Sequence, residues 1–121
     1  MTHRAPTPLV VALPALLALA ACALANPAQD PDAVRRQVLV RMVRQDCGSC
    51  HGMRLTGGLG PALTPAALAD KPVESLSATI YHGRPGTPMP GWRSMLSAGE
   101  AAWIASQLVV GFPEEHVGAA R

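Results

Sequence analysis

Cys47-Gly48-Ser49-Cys50-His51 constrains this chain more than any other stretch. Two thiols three positions apart, followed at once by a histidine, form the C-x-x-C-H pattern of covalent c-type haem attachment. The spacing has a chemical reason. Cys47 and Cys50 can reach the two vinyl groups of one haem and form thioethers. His51 then lies beneath the iron, where its imidazole can serve as proximal ligand. A group attached in this way cannot dissociate, so it becomes the centre of the core. Two other readings of the pair are weaker. A thioredoxin-like dithiol expects alternating strands and helices, a pattern absent from this sequence. A zinc site needs a second close pair of ligands, and the remaining candidates Cys22, His82 and His116 are scattered.

The N-terminus indicates a compartment. His3 and Arg4 precede an apolar run over residues 9–21, which has signal-peptide proportions and is short for a membrane span. Haem is joined to such motifs outside the cytoplasm, so export and C-x-x-C-H support each other. Two processing sites compete. Ala23-Leu24-Ala25 is an A-x-A site that makes residues 1–25 a signal peptide and Asn26 the first mature residue. Leu19-Ala20-Ala21-Cys22 instead resembles a bacterial lipobox, with a signal over residues 1–21 and a lipidated Cys22. Membrane attachment is expected only in the second case; the first leaves a free periplasmic protein.

Composition narrows the function. Without residues 1–25, 96 residues remain, enough for one small domain with a marginal core. Its aromatics are Tyr81, Trp92, Trp103 and Phe112, so a buried porphyrin would supply much of the apolar bulk. Nine Lys/Arg against eight Asp/Glu in this segment argue against nucleic-acid binding, which expects a concentrated basic patch.

The periodicity predicts helices and loops without strands, an all-α chain. Asp32 caps a first helix running to about Asp46, with Val34, Val38 and Met42 at four-residue intervals and Leu39 and Val43 beside them. Arg35, Arg36, Arg41 and Arg44 read as a solvated face. Gly52 opens a glycine-rich loop. Thr64-Pro65 caps a short helix, and residues 73–82 form another, ended by Gly83. Ser97 with Glu100 is a capping box for the last helix, which Gly111 stops. The haem domain is expected over residues 32–110. Residues 111–121 form a C-terminal tail, frayed from Pro113.

An iron held by His51 needs a sixth ligand or an open site. Met42 and Met53 lie too near the proximal side, and Met95 reads as a core filler. Met89 lies 38 residues after His51, between Pro88 and Pro90, in a loop long enough to wrap over the opposite haem face. A Met/His pair is a known axial set for cytochromes c. The alternatives are His82 as ligand, or Met89 packing on the haem edge. With the sixth position closed, substrate has no iron site. No catalytic constellation stands elsewhere, so the chain reads as an electron-transfer protein and not an enzyme.

The order of first helix, C-x-x-C-H, Gly-Pro loop, Ile80-x-x-Gly83, Met89-Pro90 and last helix resembles the class I cytochromes c. The resemblance covers residues 32–108. It implies about four short helices around one haem c, with the first and last helices crossing at right angles. It also implies that the carbonyl of Pro61, in Leu59-Gly60-Pro61-Ala62-Leu63, orients His51 through its free ring nitrogen. Gln107 departs from the family, which places an aromatic there; Trp103, one turn earlier, is the expected substitute. Residues 57–65 and 83–90, with residues 46–52, are similar to the NirC-type small periplasmic cytochromes c of denitrification clusters. That likeness implies one-electron transfer to a cytochrome cd-type nitrite reductase, or a part in maturing its d-type haem. An open-site haem sensor or enzyme requires Met89 to be off the iron.

Overall fold

A computed structural model describes residues 30–115. The export segment, with both cleavage readings and Cys22, lies outside the described residues, as do His116 and the last residues of the tail. Helix α1 spans Ala33–Met42. Its start is set by Asp32, whose carboxylate accepts the Arg35 backbone N–H at 2.8 Å and so satisfies a donor that a helix start leaves open. The expected end near Asp46 is not observed. A π-helical turn covers Val43–Cys47, and α2 continues over Gly48–His51. Such a turn carries a wider hydrogen-bonded ring than an α-turn and re-aims the residues beyond it. The attachment motif therefore stands on helical backbone, with Cys47 and Cys50 three apart on one side.

The buried stripe of α1 differs from the one the four-residue spacing suggested. Val34 and Val38 are 74% and 46% exposed, whereas Leu39 and Val43 are fully buried. Both stripes have helical periodicity; the position of the last helix decides between them. Leu39 and Val43 join one cluster with Leu55, Leu68, Leu96, Trp103, Ile104, Leu108 and Phe112. Five of these nine residues lie in or just before the last helix or just after it, so that helix is the spine of the core.

The remaining elements begin and end on local chemistry. Helix α3, Pro65–Leu68, starts with Thr64 accepting the Ala67 N–H at 3.3 Å. Helix α4, Val73–His82, stops where Gly83 turns to φ 76°. Helix α5, Ala98–Val110, opens with a reciprocal capping box: Glu100 N–H donates to Ser97 Oγ, and Ser97 N–H donates to the Glu100 carboxylate. No strand occurs among the described residues. α4 packs along α5. α1 reaches α5 through Leu39, Val43, an Arg35–Glu100 ion pair and Arg36 held 5.9 Å over the Trp103 ring. Trp103 is buried and stands edge-on to Phe112, the aromatic role for which Gln107 is too polar.

The arginine face of α1 is not simply solvated. Arg44 is 7% exposed and lies 5.7 Å above the Phe112 ring. Its guanidinium donates to the carbonyls of Phe112 at 2.8 Å and Pro113 at 2.8 Å, and pairs with Glu114. Arg41 pairs with Glu115. The chain thus stays pinned to α1 as far as Glu115, where fraying from Pro113 was expected. A buried guanidinium needs several acceptors, and the carbonyls beyond α5 supply them.

Candidate haem site

His51 ends α2 and is 8% exposed. Its Nδ1 lies 2.6 Å from the Pro61 carbonyl oxygen. A carbonyl can only accept, so Nδ1 carries the proton and Nε2 keeps its lone pair. The imidazole is therefore held in the tautomer and orientation that suit a ligand bound through Nε2.

The glycine-rich loop supplies that carbonyl by closing onto the end of α2. Gly60 N–H donates to Cys50 O, and Gly57 N–H to His51 O, each at 2.8 Å. These bonds satisfy carbonyls that a helix end leaves free. Gly60 has a second function that its sequence context did not reveal. A Cβ there would stand 2.7 Å from His51 Cε1 and 2.8 Å from Nδ1, so only glycine lets the backbone pass this close to the ring. Leu55 carries φ 61°, the single positive φ of a non-glycine among the described residues, and its buried side chain holds it there.

Cys47 is half-buried, Cys50 is exposed, and both thiols are free. Burial first, then the neighbouring Asp46 carboxylate, push the Cys47 thiol up to about 11. A thiol so placed is a poor nucleophile near neutrality, unlike the low-pKa cysteine of a dithiol redox centre. No group of three or more His, Cys, Asp or Glu side chains that could hold a metal occurs among the described residues.

Met89 belongs to a second loop, folded back on the end of α4. Trp92 N–H donates to Ile80 O at 3.1 Å, Arg93 N–H to Tyr81 O at 3.2 Å, and Arg84 N–H to Met89 O at 3.2 Å. A Cβ on Gly83 would meet Gly91 N at 2.5 Å, so the two ends of this loop touch backbone to backbone. Met89 is half-buried. The structure thus gathers Cys47, Cys50, His51 and Pro61 at one place and holds Met89 in a separate, pinned loop. No hydrogen bond among the described residues joins the two groups. Among the other ligand candidates, Met42 packs against the core, Met53 is 57% exposed, and His82 is exposed beside Tyr81. Met95 is 52% exposed and not the expected core filler; its position before Ser97 leaves the burying role to Leu96.

These residues fit a haem. One imidazole nitrogen is bonded and the other keeps its lone pair, and two thiols stand three positions apart on helical backbone. At the edge of the core, Leu63, Leu76, Ile80 and Trp92 are only partly buried, apolar surface of the kind that a porphyrin covers.

Comparison with known proteins agrees with this chemistry. Residues 35–106 match the family described as cytochrome C oxidase, cbb3-type, subunit III. Cytochrome c55X of Pseudomonas aeruginosa is 56% identical over 92 residues, spanning 75% of this chain and 77% of that protein. A solved structure of the c-type cytochrome NirC is 60% identical with a TM-score of 0.66, covering 67% of this chain and 95% of the other. The dihydro-heme d1 dehydrogenase of Pseudomonas aeruginosa is 35% identical over 74 residues, 61% of this chain but 15% of that longer protein. The chain therefore belongs to the NirC and cytochrome c55X family of small monohaem c-type cytochromes, electron-transfer proteins of denitrification that carry one covalently bound haem c.

Proposed function

We propose that this chain is a periplasmic single-electron donor to a cytochrome cd-type nitrite reductase. Cys47 and Cys50 would hold the haem covalently, and His51 and Met89 would be the two ligands of its iron. The haem supplies one reversible one-electron couple. The observation that carries the reading is the 2.6 Å contact between His51 Nδ1 and the Pro61 carbonyl. It sets the imidazole in advance, so a change of oxidation state demands little movement of the ligand, which favours outer-sphere transfer. In this reading residues 1–25 are removed on export, residues 32–110 form the haem domain, and residues 111–121 are its C-terminal tail. Lipidation at Cys22 would anchor the same domain to a membrane.

Stopped-flow mixing of the reduced protein with the reductase and nitrite tests the donor role. Reoxidation well above the background rate is expected, and Arg84→Glu should slow association and weaken its salt dependence without altering the spectrum. Absence of reoxidation removes the donor role. A second reading then gains weight, a part in maturing the reductase's d-type haem, which the likeness to the dihydro-heme d1 dehydrogenase favours. Deletion of the gene should in that case yield a reductase that has its c-type haem but lacks d-type haem.

A further inference from the structure

The Met89 loop is pinned at its base, where a Cβ on Gly83 would lie 2.5 Å from Gly91 N. Beyond that base it stands out from the molecule. Residues 84–88 and Pro90 are exposed, and a Cβ on Gly86 would meet nothing within 4 Å. Every hydrogen bond that residues 84–90 make among the described residues goes to another residue of the same loop. The bonds that fix the Met89 backbone are therefore internal to the loop.

These bonds form one closed ring. Arg84-Pro85-Gly86-Thr87 is a β-turn in which Thr87 N–H donates to Arg84 O at 3.0 Å. Proline in second place and Gly86 in third, with φ 76°, are the type II pattern. The Thr87 hydroxyl joins this turn to Met89. It donates to the same Arg84 carbonyl at 2.7 Å and accepts the Met89 N–H at 3.3 Å. Arg84 N–H closes the ring on Met89 O at 3.2 Å. Pro88 and Pro90 have no N–H, so the Met89 amide is the one backbone donor over residues 88–90, and the hydroxyl takes it. Both backbone groups of Met89 are thus bonded to the turn, one of them through a side chain. Valine has nearly the shape and the same β-branch as threonine, so the hydroxyl is what distinguishes this position.

We infer that Thr87 is the positioning residue for Met89: its hydroxyl latches the loop, keeps the thioether on the sixth position of the iron, and so keeps small neutral ligands off it. The inference rests on the reading of Met89 as the sixth ligand, not on the identity of the electron acceptor. Arg84 contributes only its backbone to the latch. Hydrogen bonds exposed to water compete with solvent and are individually weak. Loosening the latch therefore changes how often the sixth position opens, and leaves the fold in place.

Ligand exchange in the oxidised haem-loaded protein reads the latch. Added neutral imidazole takes the place of the Met89 thioether at the iron, with no electron transferred. At saturating imidazole the observed rate is the rate at which the thioether leaves. Thr87→Val should raise that limiting rate about tenfold, the scale of losing one or two exposed hydrogen bonds. Thr87→Ser keeps a hydroxyl and should stay within about twofold of the wild type. Gly86→Ala strains the turn at a positive φ without meeting any neighbour, and should raise the rate as well. A wild-type limiting rate in Thr87→Val overturns the inference. So does a lowered melting temperature with an unchanged exchange rate in that variant, which would make Thr87 a support of the loop alone. A Thr87→Ser rate as high as that of Thr87→Val also overturns it, because the hydroxyl would then not be the latch. Met89→Ala separates the latch from the ligand reading, since the sulfur–iron charge-transfer band of the oxidised form should disappear. Retention of that band places the ligand elsewhere and removes reading and latch together. Loss of the band with an unchanged Thr87→Val rate removes the latch alone.

Discussion

At the scale of single residues, the site depends on what surrounds each ligand candidate as much as on its identity. Any histidine after C-x-x-C could approach an iron; His51 is set by a carbonyl at 2.6 Å and by a glycine that lets the loop touch its ring. Gly60→Ala should therefore disturb His51 more than its small size suggests. The added methyl meets ring atoms at 2.7–2.8 Å, so the ring or the loop must move. A shifted reduction potential and a lower melting temperature are expected, by an amount equivalent to about 1–3 kcal/mol of overpacking and backbone strain. A wild-type spectrum, potential and stability would show that the loop yields freely. Met89→His should retain a six-coordinate low-spin haem and lower the potential by roughly 0.1–0.3 V, a fraction of the span of about 0.8 V that axial ligation covers. Met95→Leu, on a half-exposed side chain, should leave the potential where it was. The reverse outcome would make Met95 the ligand.

Elements are joined here by a few charged contacts between helices that are far apart in sequence. The Arg35–Glu100 pair links α1 to the first turn of α5, where Glu100 also caps Ser97 N–H. The Arg35 guanidinium, helped by bonds from Ser97, holds the Glu100 carboxyl below its usual 4.5, against the opposing effect of partial burial. A carboxyl whose pKa is lowered by folding stabilises the folded state fully above its unfolded value. That contribution is lost as pH falls from about 4.5 through the lower folded value. Unfolding midpoints of the wild type and Glu100→Gln should therefore differ at neutral pH and converge in acid. A difference that stays constant with pH would mean that Glu100 acts through packing alone. The capping box was legible as Ser97 followed by Glu100, because capping is a local matter. The ion pair across 65 residues was not, because no local pattern says which helices meet.

Viewed as a whole molecule, the chain has a core that is finished only with its prosthetic group. Nine buried apolar residues form the cluster, and Leu63, Leu76, Ile80 and Trp92 remain partly exposed at its edge. Small domains bury little of their surface, so this edge matters for stability. Cys47→Ala combined with Cys50→Ala should abolish covalent haem and leave a largely unfolded chain, with most far-ultraviolet helical signal lost. A stable, helical and colourless double variant would show that the polypeptide folds alone.

What the sequence determined by itself is everything that acts over a few residues: the attachment motif, the helix starts at Asp32, Thr64 and Ser97, the stops at Gly83 and Gly111, and the all-α class. Those signals are short-range, set by hydrogen bonds and backbone torsions within a turn. Only the tertiary structure decided which side of α1 is buried, since Val34-Val38 and Leu39-Val43 have the same periodicity and only α5 distinguishes them. It also decided that Arg44 is a buried anchor for the chain after α5, that a π-helical turn carries the helix on to His51, and that Gly60 must be glycine. The buried side of α1, the Arg44 anchor and the need for glycine at 60 each depend on a partner brought close by folding, and an unpartnered arginine or a loop glycine looks the same in sequence whether or not that partner arrives.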